Sequence, residues 1–78
     1  MTENVAAALC ALLLNNRGPN GRFAMEFEAL QQAMGLSWHE IHEAVVAAVE
    51  RAWVRRNADG VELRAAGIHV AKKQLNLL

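Results

Sequence analysis

Within five residues the chain sets two imidazoles and two carboxylates, His39-Glu40-Ile41-His42-Glu43. Such a group invites a metal-binding reading. On a helix the zinc-protease arrangement places its histidines four apart, whereas these are three apart. No third ligand follows nearby, and His69 is far along the chain. No metal centre is therefore expected. The two imidazoles read instead as residues of an exposed helix face. Cys10 sits within the apolar run Val5–Leu14 with no His, Lys or Arg at a neighbouring helical position to lower its pKa. It reads as a small buried hydrophobe. No Ser-His-Asp set, phosphate-cradling glycine loop or acid/base pair is present, so neither enzyme activity nor a cofactor is expected.

The other chemistry on offer is charge. Lys and Arg balance Asp and Glu at eight each, but unevenly: residues 1–50 hold two basic and six acidic side chains, and residues 51–78 hold six and two. Arg51, Arg55, Arg56 and Arg64 fall on or beside one short segment, with Lys72 and Lys73 further on. A patch of this kind can contact phosphate. The competing reading is an ordinary solvated surface, partly neutralised by Glu50 and Glu62. Alternation along a strand also sends Arg55 and Arg56 to opposite faces.

The elements that would carry these residues follow from periodicity and turn chemistry. A first helix starts near Glu3, capped by Thr2, with Val5, Leu9, Leu12 and Leu13 on one face and Ala6, Cys10 and Leu14 on a second. Asn15, Gly18, Pro19 and Gly21 end it. Arg22–Met25 reads as a short inserted strand. A second helix runs from about Glu26 to Met34, with Phe27, Leu30 and Met34 on one side. Gly35 suits a left-handed C-cap, and Ser37 with Glu40 three residues later makes a capping box. Helix 3 extends from Trp38 to about Ala52, with Ile41, Val45, Ala48, Val49 and Ala52 inward. His39, Glu40, His42, Glu43, Val46, Ala47, Glu50 and Arg51 point outward. Trp53 reads as core, and Trp38 as packed back on helix 2 in preference to standing exposed. Strands at Trp53–Arg56 and Val61–Arg64 close at Asp59-Gly60, a strong hairpin signal, with Val54, Val61 and Leu63 facing the core. A last amphipathic helix covers Ala65–Asn76 through Ile68, Val70, Ala71 and Leu75. The expected fold is α+β, in the order α1-(β1)-α2-α3-β2-β3-α4, as one domain over 1–78.

This arrangement resembles the winged helix-turn-helix regulators of bacteria, of the broad GntR and MarR kind. The resemblance covers roughly residues 28 to 71 and rests on Leu30, Ala33, Gly35, Leu36, Ser37, Ile41, Val45, Val49 and Val54. Leu63-Arg64-Ala65-Ala66-Gly67 is similar to the Leu-Thr-x-x-Gly that opens the last helix in many members. It implies a DNA-binding transcriptional regulator: helix 3 would enter the major groove with His39, His42 and Arg51, and Arg55, Arg56 and Arg64 would hold phosphates. Three residue patterns depart from that implication. Helix 3 offers Trp38, His39, Glu40, His42 and Glu43 where basic or small polar residues would read DNA. The wing tip carries Ala58 and Asp59, and the net charge is zero. Two functions thus stand open: double-stranded DNA binding by a small regulator, which the usual role of the fold puts first, and, as the alternative, a protein-interaction module in which the acidic and apolar face of helix 3 binds a partner.

Size and composition add bounds. Seventy-eight residues are near the limit for a lone core, and a single cysteine allows no internal disulfide. The apolar run at Val5–Leu14 is too short to span a bilayer and lacks the basic start of a signal peptide. A cytoplasmic protein without a membrane partner is expected. The two apolar stripes of helix 1 suggest a homodimer, with a seam of Ala6, Cys10 and Leu14 against Leu75, Leu77 and Leu78.

Overall fold

Thirteen residues, Thr2–Leu14, form the first helix, α1. The computed structural model describes residues 2–18 and 21–76. Expectations resting on Pro19, on the Thr2 side chain, or on Leu77 and Leu78 lie outside the described residues. After α1 come β1 (Ala24–Glu26), α2 (Phe27–Met34), α3 (Trp38–Glu50), β2 (Val54–Arg56), β3 (Gly60–Leu63) and α4 (Ala65–Gln74). The order is the expected one, a small α+β domain of winged-helix-like layout.

Helix α1 is the centre of the molecule. Ala6, Leu9, Cys10 and Leu13 are inaccessible to solvent, because α3, α4 and β3 all pack around it. Ala44 and Ala48 of α3 and Ala71 of α4 are fully buried in the same cluster. Small side chains at these positions let helix axes approach closely. This removes Ala6 and Cys10 from the expected dimer seam. The stripe containing Ala6 and Cys10 is not left for a second copy, since the chain's own helices cover it. Leu14 packs at the margin of the core and Leu75 is half-buried. Among the described residues no helix is long and apolar enough to cross a membrane.

The three strands form one antiparallel sheet in the order β1-β3-β2. The inserted strand thus exists, displaced by two residues from the expected Arg22 start. It is preceded by an Arg17–Phe23 bridge. Val54 pairs with Leu63 and Arg56 with Val61. Residues directly opposite share a face, which puts Val54, Val61 and Leu63 in the core as expected. The β2–β3 turn is held by Asn57, whose Oδ1 accepts from the backbone N–H groups of Asp59 (3.1 Å) and Gly60 (2.8 Å). Gly60 is not in a left-handed conformation. It belongs to β3, where a Cβ would fall 2.0 Å from the Met25 carbonyl oxygen. The Asp-Gly pair marks the hairpin, but the glycine is required by the neighbouring strand.

Local chemistry fixes the α2–α3 turn. Gly35 is left-handed, with φ 65°, and its N–H donates to the Gln31 carbonyl. The Ser37 hydroxyl accepts from the Glu40 N–H at 3.2 Å, and the Glu40 carboxylate accepts from the Ser37 N–H at 3.2 Å. That is the expected capping box. At the other end α3 stops at Glu50, earlier than expected. Ala52 turns to φ 59°, so it is not part of the inward face and stands exposed. The chain then enters β2, with the Trp53 N–H donating to the Ala48 carbonyl at 2.9 Å. Gly67 of α4 lies so close to this corner that a Cβ would meet the Trp53 carbonyl oxygen at 2.0 Å.

Candidate interaction face on helix α3

Ile41, Ala44, Val45 and Ala48 commit one side of α3 to the core. The remaining surface divides into two strips. At about 100° per residue, Trp38, Val49, His42 and Val46 follow one another round the helix beside the buried Val45. Beyond them come Glu50, Glu43 and Glu40. Trp38, Val46 and Val49 are 48, 39 and 41% exposed, the large apolar side chains most open to solvent among the described residues. Val49 had been expected inward. The core ends at Val45 and Ala48, so the Val45-Val46-Ala47-Ala48-Val49 run is wider than one buried face can absorb.

The apolar strip has two walls. On one side stand Phe27, at the start of α2, and Arg56, on β2. The Trp38 and Phe27 rings meet edge to face, so Trp38 packs on α2 while half of it remains open. The Arg56 guanidinium lies over the Phe27 ring, 5.3 Å from its centroid. Between Arg56 and α3, a shallow depression of about 130 Å³ is lined by Val45, Val46, Val49 and Glu50. The other wall is acidic. His39 Nε2 lies 3.1 Å from Glu43 Oε1, so the nearest partner of one imidazole is a carboxylate on its own helix. Among the described residues, no group of three or more His, Cys, Asp or Glu side chains is placed to hold a metal ion.

The six residues expected to meet nucleic acid are not gathered on one surface. His39 and His42 are exposed on α3. Arg51 is tied to Glu3 at the start of α1, and its guanidinium also faces the Trp53 ring at 5.5 Å. Its partner is thus Glu3, on a different helix. Arg55 and Arg56 leave opposite faces of the sheet, Arg55 beside Glu62 and Arg56 toward Phe27. Glu62 also meets Arg22 from the far side, at 3.9 Å. Arg64 is exposed at the start of α4. Cys10 is inside the core, where burial pushes its thiol up to about 11. Phe27, Val46 and Val49 are the residues that the sequence reading left out of any site.

No known protein family, curated protein or solved structure matches this chain. Its class is defined by fold alone, a small α+β domain of winged-helix-like layout.

Proposed function

We propose that this chain is a protein-interaction module on a winged-helix-like frame, which binds its partner through the exposed strip of α3. The observation that carries this reading is the make-up of that strip: Trp38, Val46 and Val49 open to solvent, edged by Glu43 and Glu50. Half-exposed aromatic and apolar side chains grouped on one surface suit a protein contact, where tryptophan is often the anchor. A helix that reads DNA needs hydrogen-bond donors for base edges and cations for phosphates. Here the corresponding face presents Glu43 and Glu50, which phosphates repel, beside His39 and His42, and His39 is already turned to Glu43. Of the nearby cations, Arg51 is engaged by Glu3 and Arg56 is drawn over Phe27.

Of the basic patch, Arg55 and Arg64, with Lys72 and Lys73 of α4, all exposed, are what a DNA-binding regulator would have left to use. An anisotropy titration with labelled nonspecific duplex at low ionic strength separates the two functions. The interaction-module reading expects no binding through the range of roughly 10⁻⁶ to 10⁻⁴ M typical of nonspecific complexes. Binding in that range, with a salt slope that drops by about one for each of Arg55→Ala and Arg64→Ala, overturns it.

A further inference from the structure

We infer that the α3 strip receives a basic amphipathic helix, apolar along one side and lysine- or arginine-rich along its flank. This rests on the interaction-module reading and adds the chemistry of the partner.

Shape comes first. From Trp38 to Val49 the strip is straight, because it lies on a single helix. It runs for roughly 16 Å at 1.5 Å per residue. That matches about three turns of a partner helix, whose apolar residues would recur at the i, i+3, i+4 and i+7 spacing of helix-in-groove recognition. The depression between Val46, Val49 and Arg56 gives one such side chain a seat. Trp38, backed by Phe27, supplies a flat aromatic wall at the other end.

Charge then selects the partner. Glu43 and Glu50 flank the strip along its open side and both border the surface hollow that His39, His42 and Val46 also line. Glu40, one turn earlier, is occupied by the Ser37 cap. Across the strip the cation in reach is Arg56, whose guanidinium is held over Phe27. The rim therefore presents two carboxylates, Glu50 and Glu43, the latter 3.1 Å from the His39 imidazole, against one engaged guanidinium. A partner with cations beside its apolar face gains from both carboxylates, and an acidic one is turned away by them. A second copy of this chain would bring the same acidic border to the contact. That makes it the poorer occupant.

The probe is a synthetic amphipathic peptide with leucine on one face and lysine on the other, paired with a twin carrying glutamate in place of lysine. Each is titrated into the full chain and followed by 1H–15N NMR. The lysine peptide is expected to shift the Trp38 indole N–H and the α3 amides around Val46 and Val49. Val46→Glu, and separately the pair Glu43→Gln with Glu50→Gln, should each weaken it by about tenfold or more. These side chains are exposed, and unchanged circular dichroism verifies that the variants fold. No shift on α3 at millimolar lysine peptide, or shifts centred on another face, overturns the inference. Equal binding of the glutamate twin at the strip also overturns it, yet leaves the interaction-module reading standing, whereas duplex binding in the preceding titration removes that reading itself. Sedimentation equilibrium covers the remaining occupant: a dimer that Val46→Glu returns to monomer assigns the strip to a second copy and overturns the inference.

Discussion

Trp38 and Phe27 meet edge to face, with ring centroids 5.5 Å apart and planes inclined at 87°. Each is the first residue of its helix, Phe27 of α2 and Trp38 of α3. The contact therefore joins the N-terminal ends of the two helices across the turn between them. Edge-to-face pairs contribute about 0.5–1.5 kcal/mol beyond their area. Trp38→Ala is expected to lower stability by about 1 kcal/mol, and Trp38→Phe to retain most of it. Urea midpoints measure both, and a silent Trp38→Ala would mean that the pair does not hold the turn.

At Gly35 the constraint is conformational. Its φ is +65° and nothing lies within 4 Å of where a Cβ would be. Gly35→Val should cost more than about 1 kcal/mol from backbone strain alone, whereas Gly35→Asn, a residue that tolerates this region, should cost clearly less. Equal costs would point to crowding instead.

Gly60 and Gly67 are sensitive for the opposite reason. Both have ordinary backbone angles, but a Cβ on either would fall 2.0 Å from a carbonyl oxygen, that of Met25 or of Trp53. Backbone must move to admit it. Gly60→Ala and Gly67→Ala are each expected to cost about 2 kcal/mol or more, well above Gly35→Ala in the same denaturation assay. Loss of that ranking would refute the close approach.

Ala52 holds a left-handed φ of 59° without the freedom of glycine. Such a conformation costs an L-residue roughly 1–2 kcal/mol, so Ala52→Gly should raise stability by up to about 1 kcal/mol after the greater chain entropy of glycine is subtracted. A lower melting temperature for Ala52→Gly would contradict the assigned turn.

Cys10 ties stability to alkaline pH. Its thiol rises from 9.0 to about 11 through desolvation. Because the folded pKa lies above the unfolded one, the stabilisation is complete below pH 9 and is lost as pH climbs toward about 11. Unfolding free energy should fall across that window, and the fall should be reduced in Cys10→Ala. Thiol reagents at neutral pH should label native protein far more slowly than unfolded chain. Rapid native labelling would place the sulfur at the surface.

Much of this architecture was readable from residue types. Gly35 and Ser37 with Glu40 fixed the turn, and Asp59-Gly60 located the hairpin. Val54, Val61 and Leu63 announced their inward direction by alternation. The limits of α3 were harder to see. Val49 and Ala52 fit the inward period, but the helix stops at Glu50 and the chain reverses at Ala52. Gly67 of α4 closes on the Trp53 carbonyl just beyond that exit, a tertiary contact without a local signature. The same reason hid the fate of Ala6 and Cys10: an apolar stripe looks identical whether its cover comes from its own chain or another. Arg51 shows the limit for charge, since Glu3 is 48 residues away and no spacing rule connects them.

The strand order also has a temporal meaning. β2 and β3 are joined by a three-residue turn, whereas β1 reaches the far edge of β3 from more than thirty residues upstream. Local pairing of this kind closes within microseconds, while distant segments first lose the entropy of a long loop. The hairpin should therefore precede the arrival of β1. In that interval the free side of β3, with Val61 and Leu63, offers unpaired backbone groups that another chain can complete. A nascent or heat-shocked molecule is thus most adhesive along an edge that the finished molecule conceals.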